Sequence, residues 1–154
     1  MLDVIILAIG KIRENHFAEA ADEYIKRLKP YARVEMVELG PTPFNNSNKN
    51  KAKKLEAEKI LNYLEKHSDS RIFILHEEGE NINSRDFART LERSNGRTIF
   101  VVGGSLGFDD SVLEKSWQKL SLSPLTFPHE MARVILLEQI YRAATIIKGK
   151  EYHY

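Results

Sequence analysis

The run Val4-Ile5-Ile6-Leu7-Ala8 constrains this chain more than any other feature. It is continuous, apolar and rich in β-branched residues, without the polar alternation of a strand that faces water on one side. That is the pattern of a strand covered on both faces, so the rest of the chain must supply helices above and below it. Glu14 to Leu28 reads as a helix, with Phe17, Ala20, Ala21, Tyr24, Ile25 and Leu28 at helical spacing, and Pro30 stops it. Val34 to Leu39 alternates as a strand does, and Gly40 to Asn50 (GPTPFNNSNKN) is a loop. Lys51 to Glu65 is a polar helix with Leu55, Ile60, Leu61 and Leu64 as its inner stripe.

Ile72 to Leu75 is a further apolar strand, after which His76-Glu77-Glu78-Gly79 turns polar. Asn83-Ser84 caps a helix carrying Phe87, Ala88 and Leu91 that ends near Asn95-Gly96. Thr98 to Val102 is a strand that runs into Gly103-Gly104-Ser105-Leu106-Gly107. Asp109 or Asp110 caps a short helix, and Lys119 to Ser123 is a short last strand. Pro124 to Pro128 is a rigid loop, Glu130 to Lys148 a long helix, and Gly149 to Tyr154 an aromatic tail. This alternation predicts one α/β domain over residues 1–154, a mostly parallel sheet with helices on both faces.

Composition narrows the chemistry. The absence of cysteine excludes disulfide, zinc-thiolate and cysteine-nucleophile chemistry. The 23 basic and 22 acidic residues leave a net charge of +1, so any RNA site must be local or assembled from two copies of the chain. The opening apolar run reads as a strand and not a signal peptide, and no stretch reaches the length of a membrane span. The expected compartment is the cytoplasm. None of the 5 histidines has the spacing of a helical metal site, and no metal is expected.

In open α/β sheets ligands sit beyond the carboxyl ends of the strands. Three such ends carry suggestive residues: Leu75 before His76, Val102 before the glycine cluster, and the loop Leu122-Ser123-Pro124-Leu125-Thr126-Phe127. Glycines let backbone approach a ligand, although a plain tight turn uses them as well. An apolar loop with two hydroxyls can grip an adenine or simply be a buried connection. The last helix is apolar around most of its circumference, so a partner subunit or the sheet with a neighbouring helix must cover it. Arg142 lies four residues after Glu138, which allows a structural ion pair or an Arg aimed into a shared site. His129 either caps the last helix or belongs to a site. The rings of Tyr152, His153 and Tyr154 are unusual for a solvated tail and suit stacking on a nucleobase. Lys49, Lys51, Lys53 and Lys54 are either a solvated helix start or phosphate contacts.

Four segments, IILAIGK, FVVGGSLGF, SLSPLTFPHEMARVILLEQIYRA and the terminal KGKEYHY, resemble the RlmH family, the pseudouridine methyltransferases of large-subunit ribosomal RNA within the SPOUT class. The resemblance covers the whole chain. It implies an α/β domain whose C-terminal part forms a trefoil knot, and S-adenosyl-L-methionine bound at Leu75, Gly103 and the loop from Leu122 to Phe127. It also implies a homodimer with the last helix near the two-fold axis, and methylation of N3 of a pseudouridine in a stem-loop of the assembled ribosome. Leu106 and Tyr154 stand where relatives often carry a polar and a basic residue. The imide nitrogen must lose a proton to become nucleophilic, with His153 a candidate base, Arg142 a stabiliser of the anion and Tyr152 a residue that stacks on or orients the base. Two rivals are a nucleotide-dependent oxidoreductase, against which the missing early glycine fingerprint argues, and a non-catalytic ribosome-binding module.

Overall fold

The structure, a computed structural model, describes residues 1–153. Tyr154, whose departure and ring were noted above, lies outside the described residues. The elements in chain order are β1 (Leu2–Ile9), α1 (Asn15–Leu28), β2 (Ala32–Leu39), α2 (Lys49–Glu65), β3 (Arg71–Asn81), α3 (Ser84–Glu92), β4 (Arg97–Val102), α4 (Asp110–Leu113), β5 (Gln118–Ser121) and α5 (His129–Ile147). The strands form one parallel sheet in the order β2-β1-β4-β3-β5.

β1 lies between β2 and β4, which accounts for its unbroken apolar run. Val4, Ile6 and Ala8 pack into a core with α1, α3 and α5, while Ile5, Leu7 and Ile9 pack with α2 and α4 on the other face. β2 sits at the sheet edge and alternates between half-buried and exposed positions. Among the described residues no helix is long and apolar enough to cross a membrane.

Several boundaries differ from the sequence reading. α2 starts at Lys49, and Leu55 points outward while Glu56 takes an inner position beside Ala52, Ala57 and Ile60. Half of the buried apolar residues of this helix, Ala52 and Ala57, are alanines, which hydropathy signals weakly, while Ile60 and Leu64 are buried as expected. Pro128 occupies the N-cap position of α5, so His129 is its first helical residue and not its cap. β5 is Gln118–Ser121, which releases Leu122 and Ser123 into the loop that follows.

The largest difference is in β3. It does not end at Leu75: both Leu75 and Glu80 pair with Leu120 of β5, and the residues between them bulge out of the ladder. This excursion closes tightly over β5. A Cβ on Gly79 would stand 2.8 Å from backbone atoms of Lys119 and Leu120, so Gly79 is there for close approach. Ser121 Oγ donates to the carbonyl of Glu77 at 3.1 Å, tying the excursion to the strand beneath it. After α5 the Lys150 amide donates to the Thr145 carbonyl at 2.8 Å and turns the described residues of the tail, up to His153, back along the helix.

Candidate functional site

The bulge of β3 after Leu75 and the carboxyl end of β4 open onto a cleft of about 520 Å³, lined by Leu75, Val102 to Phe108, Leu122 and Phe127, with His129 and Ala132 of α5 at one end. This volume suits a nucleoside-sized ligand. Seven of the eight residues expected at a cofactor, namely Leu75, Gly103, Leu122, Ser123, Leu125, Thr126 and Phe127, line it. Pro124 belongs to the same loop, but its side chain is not part of the wall.

The bare backbone at the β4 end is enforced by packing. A Cβ on Gly103 would meet the Phe108 ring at 3.3 Å, and one on Gly104 would meet Ile9 at 3.3 Å. The outer wall is held by hydroxyls: Thr126 Oγ1 donates to Glu77 Oε2 at 2.7 Å, and Ser123 Oγ accepts from the Leu125 amide at 3.0 Å. Leu125 is 74% exposed, so the wall is open on its outer side. Apolar walls beside bare glycine backbone suit an adenosine, and the residues present fit S-adenosylmethionine.

Arg142, Tyr152 and His153 are brought together elsewhere, at the other end of α5. Arg142 pairs with Glu138 at 2.5 Å, donates towards His153 Nδ1 at 3.3 Å, and places its guanidinium 4.9 Å from the centre of the Tyr152 ring. The structural ion pair and the cluster with the tail therefore coexist. Tyr152 packs edge-on against Tyr141 with centroids 4.7 Å apart, and its hydroxyl donates to Glu138 at 3.3 Å. Burial, with hydrogen bonding to Tyr24 and the charge of Glu138, pushes the Tyr152 phenol up to about 12. It stays protonated near neutral pH and cannot act as a base there. His153 borders a second groove of about 760 Å³, beside Asn83, Ser84, Gln139 and Ser121.

Three polar residues that the sequence did not single out fasten this region. Arg133 is fully buried, donates at 2.9 Å to the carbonyls of both Ile9 and Gly10, and meets Glu38 at 3.1 Å. It ties the end of β1 to α5. Burial lowers its pKa from the ordinary arginine value, against the pull of Glu38. Glu130 accepts from the amides of Arg13 and Glu14 at 2.6 and 3.1 Å, satisfying donors at the start of α1 that lack a local cap. Burial opposes its ionisation, but those two amides prevail and hold its carboxyl below the usual range. Glu56, 5% exposed, accepts only a long 3.5 Å bond from the Thr42 amide, and its Oε2 has no partner. Burial pushes its carboxyl up. An acid at a strand end (Glu77) was visible in the sequence, whereas residues 38, 130 and 133 meet only in three dimensions. Among the described residues no group of three or more His, Asp or Glu is placed to hold a metal ion.

The family described as "Predicted SPOUT methyltransferase" matches residues 2–153. The chain belongs to the SPOUT methyltransferase family. Its curated relatives include the "Ribosomal RNA large subunit methyltransferase H" of Kosmotoga olearia, 38% identical over 153 residues that cover 97% of each chain. The protein of the same name from Carboxydothermus hydrogenoformans is 39% identical over 160 residues, covering 99% of each. Among solved structures, a probable methylase family protein from Haemophilus influenzae superposes with a TM-score of 0.61 at 15% identity, covering 100% of this chain and 72% of that one. A structure titled for 2-OH methylation of C/U34 on tRNA superposes at 0.53 with 14% identity, covering 97% and 99%. These two likenesses show a shared SPOUT fold.

Proposed function

We propose that this chain transfers a methyl group from S-adenosyl-L-methionine to N3 of a pseudouridine in a stem-loop of large-subunit ribosomal RNA, in the cytoplasm, as a homodimer on the assembled ribosome. The observation that carries the reading is the cleft built from Leu75, Gly103 and the Leu122 to Phe127 loop, in a chain whose full-length relatives bear a ribosomal RNA methyltransferase name. The close packing of the β3 excursion on the backbone of Lys119 and Leu120 is compatible with the knotted C-terminal part that the family resemblance implies.

The cofactor supplies a methyl group already activated on sulfonium, so the protein has to orient the target nitrogen and remove its proton. With Arg142 donating to Nδ1 of His153, a neutral imidazole keeps its proton on Nε2, and the basic lone pair is occupied. Substrate can release it. A carbonyl oxygen beside N3 takes over the Arg142 N–H, the guanidinium then stabilises the developing imide anion, and the freed Nδ1 accepts the N3 proton. Tyr152, wedged between Tyr141 and Arg142 with its hydroxyl on Glu138, fixes the geometry of that handover.

Distance along α5 favours the dimer. Ala132 lines the cleft and Arg142 lies ten residues further along the same helix, about 15 Å away. Arg142 thus stands well along α5 from its own cleft, which favours a second copy completing the site. The half-exposed Met131, Val134 and Ile135 of α5 and the exposed Leu125 offer the apolar surface for that contact.

The test is methyl transfer from labelled S-adenosylmethionine to ribosomes from cells lacking this gene, with separate subunits and free RNA in parallel. Label at one pseudouridine of the large-subunit RNA is expected. Absence of label with demonstrated cofactor binding overturns the activity. A His153→Ala variant should bind cofactor but lose transfer, and mixing it with a cofactor-dead Gly103→Trp variant should restore part of the activity if sites are shared.

A further inference from the structure

The four lysines at the start of α2 are left over by this account. Lys49, Lys51 and Lys54 are exposed and Lys53 is half-buried. Among the described residues none of them forms an ion pair. They sit at the wrong end of their helix for stability. The N-terminus of a helix carries a positive partial charge that favours acids and repels cations, yet the first turn of α2 holds no acid and its last turn no basic residue. The N-cap residue, Asn48, makes no side-chain cap bond: its Oδ1 accepts from the Asn45 amide instead, at 2.6 Å. Uncapped amides and four ammonium groups, spread around the first turns of α2, therefore gather positive potential at one helix end of a chain whose net charge is only +1.

The surrounding acids offset it only in part. Asp109 feels the charges of Lys54 and Lys53, but its carboxylate is bonded to the Ser111 amide and hydroxyl. Glu56 is buried, and Glu58, one turn after Lys54 on the same helix, forms no ion pair with it. The position matters too. α2 begins after the loop that leaves the carboxyl end of β2, and it packs on α4, just after residues 103–108 of the cleft wall. The start of α2 thus lies beside the loop that forms the cleft wall, near Gly104 and Asp109, on the sheet face opposite α5.

We propose that Lys49, Lys51, Lys53 and Lys54 form a docking surface for the phosphate backbone of the substrate RNA. This rests on the RNA methyltransferase reading above. The four lysines span about 7–8 Å along the helix axis, and the free amides of the first turn add donors for a phosphate oxygen. A strand lying across the sheet end is held here by its backbone while its target base enters the cleft. The device explains how a nearly neutral chain engages RNA: charge is gathered where the first turn of a helix reinforces it, at a cost in helix stability.

The test uses the full chain carrying Lys49→Gln, Lys51→Gln, Lys53→Gln and Lys54→Gln together, beside the parent and a Lys66→Gln control at the far end of α2. Binding to ribosomes and to free large-subunit RNA is measured by co-sedimentation and filter retention across salt concentrations, with cofactor binding and melting temperature in parallel. The quadruple variant should bind at least tenfold more weakly at low salt. Its slope of log affinity against log salt should fall by about 3, since each lost phosphate contact removes somewhat less than one. Cofactor binding should persist, the melting temperature should hold or rise, and Lys66→Gln should match the parent. Equal affinity and slope in parent and quadruple variant overturn the proposal, as does a parent that retains neither ribosomes nor RNA. A parent that binds with the expected slope yet transfers no methyl group refutes the activity and leaves the docking surface standing.

Discussion

Gly79→Ala tests whether the β3 excursion is closed over β5 as tightly as the structure shows. The added methyl would sit 2.8 Å from the Lys119 carbonyl carbon and from the nitrogen and carbonyl carbon of Leu120. All three are backbone, so no side chain can swing away, and relief requires the excursion and β5 to separate by several tenths of an ångström. Overpacking of this kind costs about 1–3 kcal/mol, and the backbone on both sides puts this case near 2–3. In a domain of this size that lowers the melting temperature by roughly 5–10 °C. Leu122 follows β5 directly and lines the cleft, so the shift should also weaken S-adenosylmethionine binding by about tenfold, as small misplacements at a site do. Gly96→Ala is the matched control: its φ of +101° disfavours a side chain, but nothing lies within 4 Å. It should lose about 1–2 kcal/mol with cofactor affinity unchanged. Calorimetry and titration of the two variants decide. A Gly79→Ala protein that melts within 2 °C of the parent and binds cofactor equally would refute the close approach.

Arg133→Met should destabilise by about 3 kcal/mol, the low end for breaking a buried pair, because Glu38 is 31% exposed and can regain water while the Ile9 and Gly10 carbonyls cannot; chemical denaturation reads this, and an unchanged midpoint would refute the clamp. The raised pKa of Glu56 means that the folded state holds its proton more tightly than the unfolded chain does. The stability it contributes is complete below about 4.5 and is lost as pH rises through the higher folded value. Glu56→Gln should therefore gain on the parent as pH rises through that window, and parallel stability curves from pH 4 to 8 would disprove it.

The element order, the two-faced burial of β1 and the three segments that line the cleft were legible in the sequence, because hydrophobic periodicity and glycine placement report local backbone and burial directly. The resemblance supplied the tail and Arg142 as a group, and the tertiary structure drew them together around Glu138. What stayed hidden depended on which segments cross in space. The pattern HEEG after Leu75 reads as a turn, and only the passage of β5 beneath it makes the strand resume at Glu80 and requires glycine at position 79. Leu55 looks like an inner residue of α2 until the face carrying Ala52 and Glu56 is chosen by the sheet it meets. Arg133 looks like a surface arginine on an apolar helix until the carbonyls at the end of β1, more than 120 residues earlier, close around it. Sequence determined which segments are strands and helices and which ends can carry chemistry, since those depend on neighbours in the chain. Tertiary structure alone decided which polar groups are buried and paired, since hydrogen bonds and charges act over a few ångströms in space.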